Sequence, residues 1–444
     1  MVSLPRLVVA APATGQGKTT VASGLMRALT RRGHVVSGHK VGPDYIDPGY
    51  HALACGRPGR NLDPHLVGEE RVVPLLLHGA RGAEVAVIEG VMGLYDGRIG
   101  TRGFASTAHV AALTRTPVVL VVDISRSSRS VGAVVHGMAT WDPTVDVVGV
   151  ILNKAGSDRH AAEVADSIAL PVLGILGRND ALVTPSRHLG LVPTGERDEA
   201  DRTLDRVADR IADGVDLDRV LELARTAPPL DEEPWRPGVS AGSTTEGRRR
   251  VVAMAAGPVF TFRYAETAEL LAAAGCDVVA FDPLTAAALP SGTAGILLGG
   301  GFPEVHADAL AANQRLRHEV RDAVRSGVPT VAECAGLLYL CDTLDGRPMV
   351  GALDATARMT ERLTMRYPTA TAATDSLLTR AGEQVTGHEF HHTSVTPPGD
   401  TGWTVDGATT GWATPTLHAS YLHTHWAGHP QLAQRFADAV HAHA

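Results

Sequence analysis

Residues 7–20 read LVVAAPATGQGKTT. A run of small and β-branched residues ends at Ala11, a glycine turn follows, and Val21, Leu25 and Leu29 then recur on one helical stripe. Strand, glycine turn and helix in that order describe a phosphate loop. Gly15 and Gly17 let the backbone curl until its N–H groups converge on phosphate oxygens. Lys18 can reach the outer phosphates, and the Thr19 hydroxyl can hold Mg2+. Thr14, Gln16 and Thr20 complete the set expected to bind ATP. Pro12 stands where the first glycine of such loops is usual, so the loop is a deviant one.

Further along, apolar runs alternate with helical patterns: Val35–Val41, Val85–Ile88, Val118–Asp123, Val147–Leu152 and Val172–Leu176. Near-continuous runs of this kind read as parallel strands buried on both faces, and their alternation with helices predicts a doubly wound parallel α/β sheet over residues 1–225. Residues 226–250, TAPPLDEEPWRPGVSAGSTTEGRRR, are rich in Pro, Gly, Ser and charge and read as a linker. The alternation then restarts at Val251–Ala255, which predicts a second α/β domain over residues 251–444.

Strand ends of such sheets form the ligand crevice. The third long strand delivers Glu89 in EVAVIEGVMGLYDG (84–97), the pattern of a magnesium-binding carboxylate, with Asp96 seven residues on. The second ends in HKVGPDYIDPGYH (39–51), which offers Lys40, Asp44, Tyr45 and Asp47. Read alone, that stretch is better taken as a polar turn built on Gly42-Pro43 and Pro48-Gly49. Asn153, in VILNK (150–154), could read an adenine edge or simply end a strand.

The second domain carries a different chemistry. In VPTVAECAGLLYL (328–340) a β-branched strand meets Cys334, a small Ala335-Gly336 pair and a leucine-rich helix: the elbow that exposes a nucleophile. The helix N-terminus is expected to favour the thiolate. Upstream, ILLGGGFPE (296–304) presents Gly300 and Gly301, whose N–H groups with that of Ala335 would form an oxyanion hole. HASYLHTHW (418–426) offers His423 and His425 as the base, and no Asp or Glu follows soon after them. The role of GHEFHH (387–392) is not settled by spacing.

Composition narrows the field. The chain has 444 residues and a formal net charge of −8, which argues against general nucleic-acid affinity. Cys55, Cys276, Cys334 and Cys341 form no CxxC pair, and four cysteines in so long a chain make no disulfide framework, so a reducing cytoplasm is expected. No apolar run reaches the roughly 20 residues that span a bilayer.

Taken together, these motifs resemble the cobyrinic acid a,c-diamide synthase family, whose aerobic-pathway members act on hydrogenobyrinic acid. The resemblance runs nearly the whole chain, through ATGQGKTT, KVGPDYIDPGYH, EGVMGLYDG, LGGGFPE, AECAGLLYL, GHEFHH and ASYLHTHW in that order. It implies a dethiobiotin-synthetase-like ATP-binding domain joined to a class I glutamine amidotransferase domain of cobyric-acid-synthase type. On that template the catalytic histidine is His423, paired with Cys334. Thr19, Asp47 and Glu89 would hold Mg2+; Lys40, Asp44, Tyr45 and Asp96 would meet the substrate. The implied partners are ATP, L-glutamine and a corrinoid, with no nucleic acid and no membrane; a homodimer stays open. Amidation of another tetrapyrrole, such as nickel sirohydrochlorin, is the alternative within this class. A regulatory P-loop ATPase with an inactive amidotransferase-like domain is the alternative outside it.

Overall fold

The computed structural model describes residues 1–178, 186–187, 190–191, 197–238 and 249–443. Residues 239–248 of the expected linker lie outside them. The chain divides into two compact units, one of Met1–Pro64 with Gly68–Arg236, the other of His65–Val67 with Pro237–Ala444. Residues 226–236 therefore belong to the first unit; Leu230 is buried there and pairs with Val2.

The first unit is built on seven strands: β1 (Arg6–Ala10), β2 (Val36–Val41), β3 (Arg60–Leu62), β4 (Val85–Glu89), β5 (Val118–Asp123), β6 (Val147–Ala155) and β7 (Val172–Gly177). Their spatial order is β3-β2-β4-β1-β5-β6-β7, and every pairing is parallel. β1 and β4 are buried at every position, as doubly covered strands must be. The helix α1 (Lys18–Arg31) lays Val21, Leu25, Met26 and Leu29 on the sheet. This is the doubly wound parallel sheet expected from the alternation. The short polar strand β3 was not anticipated; Arg and Asn in a three-residue run give no apolar signal.

The order of the strands decides where function can sit. Because β1 lies between β4 and β5, the loop that leaves its C-terminal end is flanked by the ends of β2, β4, β5 and β6. Lys40 pairs in register with Glu89, and Asp123 with Asn153, so four polar side chains from four strands surround one loop.

The second unit carries a six-stranded sheet ordered 276–281, 250–255, 293–298, 330–333, 417–420, 412–413, parallel except for its last strand. An eight-stranded sheet follows, dominated by the antiparallel pair Thr356–Arg366 and Gln384–Thr396. The second sheet was not anticipated. Thr356–Arg366 is mostly exposed and Gln384–Thr396 largely alternates buried with half-buried residues, a weaker signal than the continuous runs of the parallel sheets. Between the third and fourth strands of the six-stranded sheet lie the helices Ala307–Ala312 and Gln314–Arg325, with Asn313 accepting from the Leu316 N–H as N-cap of the second.

Leu25 is fully buried in the first unit's core. Leu25→Ala should lower the free energy of unfolding of that unit by about 2–5 kcal/mol, read from the shift of its urea transition.

Candidate active sites

The phosphate loop is shaped by its glycines and by side chains that reach it from β5 and β6. Gly15 and Gly17 both take positive φ, 83° and 90°, where a Cβ is strained. A Cβ on Gly17 would also stand 2.2 Å from the Asn153 Nδ2. Asn153 donates to the Gln16 carbonyl at 2.9 Å and accepts from the Lys154 N–H at 2.9 Å. The Nδ2 end of its amide thus meets the loop, and the Oδ1 end the next residue of its own strand. The Gln16 side chain accepts from the Asp123 N–H at 2.7 Å. Lys154, not singled out in the sequence, has φ 59° and clamps the loop by donating to Gly15 O at 3.0 Å and Asp123 Oδ2 at 2.6 Å. Thr14 is exposed on the loop, and Thr20 lies in the first turn of α1.

Around Lys18 and Thr19 the strand ends gather a buried ion cluster. Glu89 has no exposed surface. Its Oε1 accepts from Lys40 Nζ at 2.8 Å and from the Thr19 hydroxyl, and its Oε2 lies 2.7 Å from His51 Nε2. Lys40 also meets Asp47 Oδ2 at 2.6 Å and Gly90 O at 3.0 Å. Asp47 Oδ2 is 3.3 Å from the Thr19 hydroxyl. Burial alone would push the Glu89 carboxyl up; Lys40 and His51 outweigh it and hold the group well below the usual range. Asp47 goes the other way: burial, then Asp44 and Glu89, raise it well above the ordinary value despite Lys40. Lys18 is pulled down to about 8 by burial and then by Lys40, while its Nζ donates to Met92 O at 2.8 Å. Thr19, Asp47 and Glu89 are hard oxygen donors grouped about one hydroxyl, a set that suits Mg2+.

Other candidates are used differently. Asp44 Oδ1 accepts from the N–H groups of Ile46 and Asp47, at 2.8 and 3.0 Å, and so starts the helix Asp47–Cys55. That is the turn reading; Asp44 also adds negative charge beside Lys18 and Lys40. Asn61, missed in the sequence, fixes the same loop by donating to Gly42 O and Asp44 O. Tyr45 is half-buried on that loop. Asp96 accepts from the Gly93 N–H at 2.9 Å and closes a turn. Beyond this turn lies a cavity of about 1030 Å³, lined by Tyr95, Arg102, Phe104, His109, Met138 and Trp141 among others. Trp141 is 77% exposed.

In the second unit Cys334 sits at φ 49°, ψ −99°, between the strand Thr330–Glu333 and the helix Ala335–Leu340. Small residues are required there: a Cβ on Gly336 would stand 2.2 Å from Leu298 O. The expected thiolate bias is not what this geometry gives. Burial, followed by Glu304, pushes the thiol far up, and a hydrogen bond from the Ala335 N–H only partly offsets this. The helix is six residues long, too short to outweigh desolvation. Gly300 is also corrected as an oxyanion donor. Its N–H already bonds Phe262 O at 3.2 Å, which leaves Gly301 and Ala335 as the candidates.

The two histidines do not share a setting. The His423 ring stacks on His388 of GHEFHH at 4.8 Å and 8°, and its Cε1 would stand 2.3 Å from a Cβ on Gly300. His425 lies instead under Tyr264, with ring centroids 4.0 Å apart, and 3.7 Å from Glu266 Oε2. His423 thus stands beside the glycine loop of the elbow, and burial pushes its imidazole down to about 3. Glu333, immediately before the cysteine, lies 3.8 Å from His423 Nδ1. It accepts from Thr424 N at 3.1 Å and Thr424 Oγ1 at 2.8 Å.

Lys40 bridges two buried carboxylates, Asp47 and Glu89. Lys40→Met should cost about 3–5 kcal/mol of unfolding free energy, because Asp47 and Glu89 are then left facing each other; chemical denaturation at neutral pH checks this.

Comparison with known proteins agrees with this division of the chain. Residues 7–192 match the family described as the CobQ/CobB/MinD/ParA nucleotide binding domain, and residues 251–431 match the CobB/CobQ-like glutamine amidotransferase domain. A hydrogenobyrinate a,c-diamide synthase of Thermobifida fusca (strain YX) is 59% identical over 98% of this chain and 97% of its own length. The protein of the same name from Streptomyces coelicolor is 53% identical over 98% and 97%. A cobyrinate a,c-diamide synthase of Dehalococcoides mccartyi (strain CBDB1) is 38% identical over 98% of both. The chain belongs to the family of hydrogenobyrinate and cobyrinate a,c-diamide synthases.

Proposed function

We propose that this chain amidates the a and c side-chain carboxylates of hydrogenobyrinic acid, with ATP as activator and glutamine as nitrogen donor. The reading is carried by one juxtaposition within a single chain: a buried Lys40–Glu89–Asp47 cluster around the phosphate loop, and a Cys334 elbow with His423 beside its glycine loop. The 59% identity to a hydrogenobyrinate enzyme favours that corrinoid over cobyrinate. Four free, buried cysteines accord with a reducing cytoplasm. Among the described residues no helix is long and apolar enough to cross a membrane.

In the second unit His423 accepts the Cys334 proton as sulfur attacks the glutamine side-chain amide. The carbonyl oxygen becomes an oxyanion facing the N–H groups of Gly301 and Ala335. Collapse expels ammonia and leaves a thioester, which water hydrolyses to glutamate. The thiol, held protonated by burial, needs this base; a free thiolate is not preformed.

In the first unit the γ-phosphoryl of ATP passes to a corrinoid carboxylate oxygen, with ADP leaving. Mg2+, when bound by Thr19, Asp47 and Glu89, would neutralise charge on the transferring phosphoryl. Lys18 and the loop N–H groups face the same oxygens. Lys40 holds the two carboxylates in place and keeps local charge balanced. Ammonia then attacks the acyl phosphate, and phosphate leaves as the amide forms. The cavity beside Asp96 suits a large ring with carboxylate arms: Trp141, Phe104 and Tyr95 offer flat apolar faces, and Arg102 offers a cation.

Cys334→Ser and His423→Asn should abolish glutamine-dependent synthesis while ammonium salts still support it; His425→Asn should retain most glutaminase activity. Product analysis by chromatography with each nitrogen source reads the split. Trp141→Ala should raise the KM for hydrogenobyrinic acid about 10-fold, the scale of losing one aromatic face, and leave the KM for ATP unchanged.

A further inference from the structure

Nucleophile–histidine pairs of this kind are usually oriented by an acid that fixes the imidazole tautomer. Here the position two residues after the histidine is itself a histidine, and His425 is packed against Tyr264 and Glu266. The strand pairing supplies an acid from another direction. The strand Thr330–Glu333 runs parallel to Leu417–Ser420 with Glu333 opposite Ser420, three residues before His423. The chain turns through Tyr421 and Leu422 and returns His423 to the side of Glu333. The carboxylate is then anchored by two donors from Thr424, the residue next to His423, so it cannot swing away without breaking both. Thr424 is itself held by the Trp426 indole N–H at 3.1 Å.

We infer that Glu333 is the positioning acid of the glutaminase site, fixing the His423 ring through Nδ1 so that Nε2 faces the thiol of Cys334. The elbow residue and its orienting acid are thus neighbours in sequence, and the histidine comes from the short strand His423–Thr424, which follows the adjacent strand and pairs with Gln384–Thr396. As His423 takes the thiol proton, the Glu333 charge stabilises the imidazolium; when the proton passes to the departing nitrogen, both groups return to their starting state.

The surroundings predict a pH signature. The titratable groups facing this pair are Cys334 on the elbow, His388, Glu389 and His391 on the strand Gln384–Thr396, and Glu304 beyond the glycine loop. Burial pushes the Glu333 carboxyl up to about 7, against the two bonds from Thr424. Glutaminase activity should therefore fall as the medium is acidified through that range, because a protonated Glu333 no longer stabilises the imidazolium.

The inference rests on reading Cys334 and His423 as the glutaminase pair, and the test separates the two. Glutamate release from glutamine is measured on the full chain for Glu333→Gln, Glu333→Ala and Cys334→Ser between pH 5.5 and about pH 9, a window that brackets ordinary histidine titration. Glu333→Gln keeps the shape and can still accept from Thr424. The expected result is a fall in kcat of at least about 10-fold in both Glu333 variants, with KM for glutamine little changed and the acid limb near neutrality lost. A Glu333→Gln variant with wild-type kcat and an unaltered acid limb would overturn the inference, because the carboxylate would then serve only as an anchor for Thr424. If Cys334→Ser retains glutaminase activity, the underlying pair assignment fails instead. Should Glu333→Ala melt early, Glu333→Gln and its pH profile still decide.

Discussion

The first unit depends on a carboxylate with no exposed surface. Glu89 ends the strand beside the phosphate loop, and removing such a group from water is tolerable only if every lone pair is met. Lys40 from the neighbouring strand, His51 from the helix Asp47–Cys55 and Thr19 from the first turn of α1 meet it. Each partner is thereby placed. The same Lys40 draws in Asp47, and the loop preceding Asp47 is pinned by Asp44 and Asn61. A cluster of opposite charges at the crevice of a parallel sheet is thus a structural necessity. Beside it Lys18 is pulled down by burial and then by Lys40.

The second unit solves a related problem with less charge. Its elbow demands a positive φ at Cys334 and a glycine two residues on, because backbone approaches backbone there. The cost of the arrangement is a buried thiol that desolvation holds protonated. Burial, and then His391, keep the His423 imidazole neutral, and its ring stacks on that of His388.

Much of this was legible in the sequence where chemistry is local. The glycines of GQGK, the acid ending VAVIE and the cysteine between a β-branched strand and a leucine helix each announce their conformation within a few residues. What could not be read was anything requiring register. Nothing near Asn153 in sequence shows that β6 lies beside β5, where its amide meets the loop carbonyl. Lys154 gives no signal at all, since its value lies in reaching Gly15 across two strands. Gly300 looked available as a donor because nothing local shows that Phe262 pairs with it. Glu333 was in plain view next to the cysteine, yet only the pairing with Leu417–Ser420 brings it to His423. The sheet built on Thr356–Arg366 escaped for another reason: a mostly exposed antiparallel strand carries no continuous apolar run.

The central claim is that the ion cluster serves γ-phosphoryl transfer to a substrate carboxylate. Isotope transfer tests it most directly. Hydrogenobyrinic acid labelled with oxygen-18 in its carboxylates is turned over with ATP and glutamine, and the released nucleotide and phosphate are analysed by mass spectrometry. An acyl phosphate intermediate predicts one labelled oxygen in inorganic phosphate for each amide formed, with ADP unlabelled. Label appearing in AMP, or unlabelled phosphate accompanying full amidation, would contradict the account.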